Sequence, residues 1–258
     1  MHNTLKELIY MEILSFGGGR RMRECQRLLE PVTAPLSGKM LLLPIPTTRD
    51  KIYITGSDMP LDGVKAHLAR GALLSGYNIP RELTETAESL GCQVYDASKD
   101  ERFLYENALI SARGALGYIL TNFPRDIADM RIGLVGYGRI GRALLRYLLA
   151  LGNSPTLFTG RREVALELGS AGVGCSVLTE KTDLRGLDIL INTAPARQIE
   201  PERLDEKTRI IDLASGSIFP PSERLTKLAS IPDAMYPITA GRLYAEGILR
   251  FMEMEVSL

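Results

Sequence analysis

Residues 136–141 read Gly136-Tyr137-Gly138-Arg139-Ile140-Gly141, three glycines at the spacing G-x-G-x-x-G. They follow the apolar run of residues 132–135 without a gap. Ile140, Leu144, Leu148 and Leu151 then recur on one face of a helix, which Gly152-Asn153 stops. A second β-like run covers residues 156–158, so the segment reads strand, glycine turn, helix, strand. In that setting Gly136 permits the tight turn, Gly138 keeps a side chain out of the way of a pyrophosphate, and Gly141 lets the helix lie close on the strand. The helix start adds N–H groups and a partial positive charge for phosphates. A glycine turn without a ligand is the competing reading; the strand, turn, helix and strand in succession favour a dinucleotide.

The end of the second strand bears on which dinucleotide. An NAD-preferring site places Asp or Glu roughly twenty residues past the glycines, where it accepts from the ribose hydroxyls. Here the position reads Thr159-Gly160-Arg161-Arg162, with no carboxylate and two guanidiniums. A 2′-phosphate calls for cations and bidentate donors, so NADP(H) is expected over NAD(H). The alternative is that Arg161 and Arg162 are solvated residues opening the next helix.

These motifs need a scaffold, and the chain supplies an alternation of strands and helices. Residues 10–16 run apolar into Gly17-Gly18-Gly19, and residues 20–29 follow as a helix with Met22, Cys25 and Leu29 on one side. Residues 40–45 form a buried-type strand that Pro44 and Pro46 end. Thr47-Thr48-Arg49-Asp50 then sits where open α/β sheets place ligand loops, as a carboxylate site or as a surface turn. Residues 51–54 read as a short strand and residues 93–95 as another; residues 100–122 read as a long helix. After residue 162 the alternation continues, with strands at 175–178, 188–191 and 209–213, and Thr239-Ala240-Gly241 opens a final helix bearing Tyr244, Ile248, Phe251 and Met252 as an apolar stripe. The expected fold is α/β, a Rossmann-type doubly wound parallel sheet with a smaller N-terminal α/β domain. The expected divisions are residues 1–100 as a substrate-side domain, 101–124 as a connecting helix, 125–240 as the NADP domain and 241–258 as a C-terminal helix.

Composition narrows the classes. The 258 residues are 45% hydrophobic and 24% charged, those of a soluble globular protein. Lys+Arg and Asp+Glu both number 31, and tryptophan is absent, which argues against nucleic acid as a partner. Cys25, Cys92 and Cys175 are odd in number, widely spaced and accompanied only by His2 and His67. They fit neither a disulfide framework nor a metal site, and they suit a reducing cytoplasm. Neither a signal peptide nor a membrane span is expected.

Several motifs then occur in one order: Leu43-Pro44-Ile45-Pro46-Thr47-Thr48-Arg49, Glu106-Asn107-Ala108, Arg113-Gly114-Ala115, the glycine turn, Ile191-Asn192-Thr193-Ala194-Pro195-Ala196, Ile211-Asp212-Leu213-Ala214-Ser215 and Thr239-Ala240-Gly241. Together they resemble the A subunit of dipicolinate synthase, with a shortened N-terminal region. The resemblance implies oxidation of a dihydrodipicolinate-type ring to pyridine-2,6-dicarboxylate by NADP+, in the cytoplasm of the mother cell of a spore-forming bacterium. It also implies that the partner is a flavoprotein-like B subunit, and a homo-oligomer is expected. It sets Gly136, Gly138, Arg139, Ile140 and Gly141 at the pyrophosphate, Arg161 and Arg162 at the adenosine end, and Thr193, Ala194 and Pro195 along the cofactor.

The dianionic substrate asks for cations and donors, for which Thr47, Thr48, Arg49 and Ser215 are nominated, with Ser111 and Arg113 in reserve. Asp212 and Tyr244 are candidate proton acceptors, Asp212 having a structural reading as well, and Ser215 is a further catalytic candidate; no metal is expected. The competing functions are another NADP-dependent reductase of shikimate-dehydrogenase-like layout, and a non-catalytic NADP-binding subunit or redox sensor.

Overall fold

The structure, a computed structural model, describes residues 11–31, 38–194, 199–214 and 219–256. The chain divides into two compact units, one formed by Met1–Asn107 with Tyr236–Leu258 and the other by Ala108–Met235.

The first unit contains β1 (Glu12–Ser15), α1 (Arg20–Leu29), β2 (Lys39–Leu42), α2 (Leu61–Lys65), β3 (Leu73–Gly76), α3 (Arg81–Ser89), β4 (Gln93–Asp96) and the start of α4 (Glu101–Asn122). Its strands form a parallel sheet in the order β1-β2-β3-β4. A parallel sheet covered on both faces wants unbroken apolar runs. Leu41, Leu42, Leu73 and Leu74 supply them and are buried. Strand β3 escapes the sequence reading because Ser75 and Gly76 interrupt its apolar run; Ser75 is buried all the same, its hydroxyl donating to the Leu41 carbonyl at 3.3 Å. Residues 51–54 are not a strand. Asp50 Oδ1 accepts the Ile52 and Tyr53 N–H groups at 2.8 and 2.9 Å, and Lys51 has a φ of 66°. The donors a ladder would use go to a carboxylate, and only the isolated bridges Thr48 to Ile54 and Tyr53 to Pro60 remain there.

The second unit carries β5 (Ile132–Val135), α5 (Arg139–Ala150), β6 (Thr156–Thr159), α6 (Arg162–Ser170), β7 (Cys175–Val177), β8 (Ile189–Asn192), β9 (Arg209–Asp212), β10 (Leu225–Lys227) and α7 (Ile231–Met235). All six strands are parallel, in the order β10-β9-β8-β5-β6-β7. Counted from β5 and read from the β7 edge, this is the order 3-2-1-4-5-6 of the doubly wound dinucleotide fold, which reverses direction between β5 and β8. Strands β5 and β8 are buried throughout. Leu134, Leu144, Leu148, Leu157, Ile189 and Ile191 belong to the core they share with α5.

Helix α8 (Pro237–Val256) follows the second unit in sequence but groups with the first. It opens at Pro237, earlier than expected, with proline at the first helical position, where its missing N–H costs nothing. A Cβ on Gly241 would lie 2.5 Å from the Arg21 carbonyl and 2.8 Å from Glu24 Cβ, so the glycine allows α8 to lie tightly on α1.

Candidate functional site

In the second unit the glycine turn leaves β5 at the point where the sheet reverses. Gly136 has a φ of 95°, a conformation disfavoured for residues with a Cβ. A Cβ there would also lie 2.8 Å from Thr193 Oγ1 and 2.9 Å from Ala194 Cβ. Thr193 follows β8 and donates its hydroxyl proton to the Val135 carbonyl at 2.8 Å, joining the two strand ends at the reversal. At Gly141 an added Cβ would overlap the Gly136 carbonyl, so α5 packs directly on the turn. Around Gly138 nothing among the described residues comes within 4 Å of such an atom. Gly138 is also the N-cap of α5, and no side chain caps that helix. Open space above an uncapped helix start fits a diphosphate, which would meet backbone N–H groups and the positive end of the helix. Arg139 is exposed and Ile140 half-buried on the first turn.

At the end of β6, Thr159 is buried and its Oγ1 accepts the Arg161 N–H at 3.2 Å, while Gly160 is exposed. Arg161 reaches back to the glycine turn, donating from Nη2 to the Tyr137 carbonyl at 2.8 Å. The Arg142 guanidinium lies 5.0 Å from the centre of the Tyr137 ring. Arg162, exposed, begins α6. Residues 136–141, 159–162 and 193–194 thus come together around one turn; Pro195 lies outside the described residues. The Arg142 stack was missed in the sequence, although the four-residue step from Gly138 to Arg142 puts it on the first turn of α5.

Asp212 ends β9 fully buried, and its Oδ1 accepts from Asn192 Nδ2 at 2.8 Å and from the Ala214 N–H at 3.1 Å. Its Oδ2 is buried without a hydrogen-bond partner among the described residues. Asn192 and Asp212 therefore brace β8 against β9. That pairing was legible only as two polar residues closing successive apolar strands.

Tyr244 corrects an expectation. It is fully buried in the first unit between the rings of Tyr95 and Phe103, and its hydroxyl donates to the Leu43 carbonyl at 3.1 Å. Burial pushes its ionisation well above the ordinary tyrosine value, so it is a neutral core phenol and no proton acceptor.

Thr47 is likewise a brace. It is buried, its Oγ1 accepts the Tyr77 N–H at 3.0 Å, and its backbone N–H donates to the Tyr77 carbonyl at 3.0 Å, tying the end of β2 to the end of β3. Thr48 is turned onto its own loop, donating to Asp50 Oδ1 at 3.2 Å and accepting the Lys51 N–H at 2.9 Å. Arg49 lines a cleft of about 340 Å³ with Tyr53, Thr55 and Ser57. Ser111 and Arg113 belong to the second unit; Ser111 is buried, and Arg113 Nε donates to the Leu109 carbonyl of its own helix at 3.2 Å. The Thr47, Thr48, Arg49, Ser111 and Arg113 set is therefore divided between two units, and Ser215 lies outside the described residues. Among the described residues no cluster of three or more His, Cys, Asp or Glu is arranged to hold a metal, and no helix is long and apolar enough to cross a membrane.

The sequence matches no family model and no curated protein. Solved structures do match. The A subunit of dipicolinate synthase from Bacillus halodurans superposes with a TM-score of 0.72 at 17% identity, over 93% of this chain and 97% of that one. Its counterpart from Bacillus subtilis gives 0.73 at 18%, over 96% and 98%. The fold is that of the dipicolinate synthase A subunit. D-lactate dehydrogenase from Escherichia coli follows at a TM-score of 0.60 and 14% identity, over 96% and 98%, so the same Rossmann-type fold is found in that enzyme.

Proposed function

We propose that this chain is an NADP-dependent dehydrogenase that oxidises a dihydrodipicolinate-type ring to pyridine-2,6-dicarboxylate. The observation that carries the reading is the arginine pair after β6, with Arg161 folded onto the glycine turn through the Tyr137 carbonyl. A dinucleotide lying along the open backbone at Gly138 would bring its adenosine ribose toward this pair, where two guanidiniums, with no carboxylate among residues 159–162, favour a 2′-phosphate. When bound, the nicotinamide accepts a hydride. The chain's own part is to bind and orient: the first turn of α5 holds the diphosphate, Thr193 fixes the turn, and Arg161 and Arg162 select the phosphorylated ribose.

Aromatisation removes one hydride and one proton from the substrate. The proton does not pass to Tyr244, which the core encloses, and Arg49 remains the nominated carboxylate partner in the first unit. A homo-oligomeric assembly, a flavoprotein-like partner and a place in the mother-cell cytoplasm during sporulation belong to the same proposal. A second reading, an NADP-binding protein or redox sensor without chemistry of its own, is favoured by the burial of both nominated proton acceptors.

Titration with NADP(H) and NAD(H), on wild type and on an Arg161→Ala, Arg162→Ala double variant, tests the cofactor. The wild type is expected to prefer the phosphorylated form by at least about tenfold, and the double variant to lose the preference. Equal affinities throughout would overturn it. NADPH and pyridine absorbance accumulating from a dihydrodipicolinate precursor would support the dehydrogenase; their absence with and without a flavoprotein partner would leave the sensor.

A further inference from the structure

A separate cavity of about 420 Å³ lies wholly within the first unit, where α3, the edge strand β4 and α8 meet. Its size is in the range of small-molecule sites, about 300–1,000 Å³. Its floor depends on a missing side chain, since a Cβ on Gly247 would overlap the Tyr95 hydroxyl. Tyr95 donates to Asp100 Oδ2 at 2.8 Å, Arg250 Nη2 donates to the same oxygen at 3.2 Å, and Asp100 Oδ1 accepts the Phe103 N–H at 3.0 Å. Asp100 is thereby engaged at both oxygens. Arg250 has five N–H donors, and its side chain, 28% exposed, bonds only Asp100 among the described residues.

Phe251 tilts against Tyr95 with the ring centres 5.5 Å apart and, with Val94, gives the cavity an apolar wall. Lys99 and Glu88 stand exposed at the rim, neither side chain partnered among the described residues. The cavity therefore offers unused donors, an unused carboxylate and an apolar surface together. Glu88, Asp96 and Asp100 line the cavity together with Lys99 and Arg250, so both signs of charge are present and a zwitterion meets partners for both of its ends.

We propose that this cavity binds a zwitterionic α-amino acid with a large apolar side chain, the carboxylate on Arg250 and Lys99, the ammonium on Glu88, and the side chain against Phe251 and Val94. None of these residues belongs to the glycine turn or the arginine pair, so the inference stands apart from the cofactor assignment.

Calorimetric titration of the full chain with L-phenylalanine and L-leucine, alongside 3-phenylpropionate and phenethylamine, tests it. At least one amino acid is expected to bind, with the two phenyl analogues weaker than L-phenylalanine by about tenfold or more. Glu88→Gln, at the exposed rim, should weaken the amino acid but not 3-phenylpropionate. Arg250→Met should weaken both, with Lys99→Met replacing it if circular dichroism shows loss of fold. NADPH affinity should not change in any variant that keeps its fold. Silence with both amino acids, analogues that bind as tightly as L-phenylalanine, or indifference to Glu88→Gln would each overturn the proposal.

Discussion

One added methyl group separates the roles of the glycines around the turn. At Gly141 it collides with a backbone carbonyl, and at Gly138 it enters open space. Gly141→Ala should therefore destabilise the protein by about 1–3 kcal/mol in denaturant titrations. Gly138→Ala should leave the unfolding free energy within the small range of a surface change, about 0.5 kcal/mol, while weakening NADPH binding. If both variants behaved alike, the division between packing and ligand clearance would be wrong. The glycine pattern was readable because backbone clearance is a local property of spacing. The fates of Tyr244 and Thr47 were not, because a hydroxyl near a strand end becomes a ligand or a brace according to what the rest of the fold packs around it. The thiols follow the same logic. Burial raises all three, Cys25 to about 12, so the native protein should react slowly with thiol reagents at neutral pH and rapidly once unfolded.

At the scale of elements, long apolar stretches announced β2, β5, β8 and β9, because a parallel sheet buries both faces of its strands. Residues 51–54 misled because Asp50 captures the N–H groups that strand pairing would need. The start of β8 is held to the start of β5 through Asp188. Arg131 donates to its carboxylate through Nη2 at 3.1 Å and through the backbone N–H at 2.9 Å, and Arg125 lies 3.2 Å away. The Arg131 hydrogen bonds lead in holding the Asp188 carboxyl down at about 2, below its ordinary 3.8. A carboxyl depressed on folding stabilises above its unfolded value and stops doing so as pH falls through the folded one. Asp188→Asn should thus cost up to about 1 kcal/mol at neutral pH, since the arginines are largely exposed. The gap between variant and wild type should close as the pH falls from about 4 to about 2. A gap that persists at the acid end would assign the effect to something other than this pair.

On the scale of the whole molecule, the sequence division placed the last helix apart from the N-terminal domain, yet α8 groups with α1. No periodicity reveals that, because an apolar stripe shows that a helix is buried without naming its neighbour. Each unit has its own apolar core, around Leu41, Leu43 and Leu74 in one and Leu134, Leu144 and Ile191 in the other. Hydrogen exchange measured with and without NADPH should therefore show added protection concentrated in β5, α5 and the start of α6. Protection confined to the first unit would move the cofactor elsewhere.

The return of the chain to its first unit also orders events during synthesis. The second unit is encoded without interruption and holds every strand of its own sheet when it leaves the ribosome. The first emerges earlier but lacks a wall, leaving the α1 surface that receives Gly241 and the site of the Tyr244 ring uncovered until residues beyond 236 have been made. The half of the protein whose synthesis begins first is thus also the half whose last element is synthesised last.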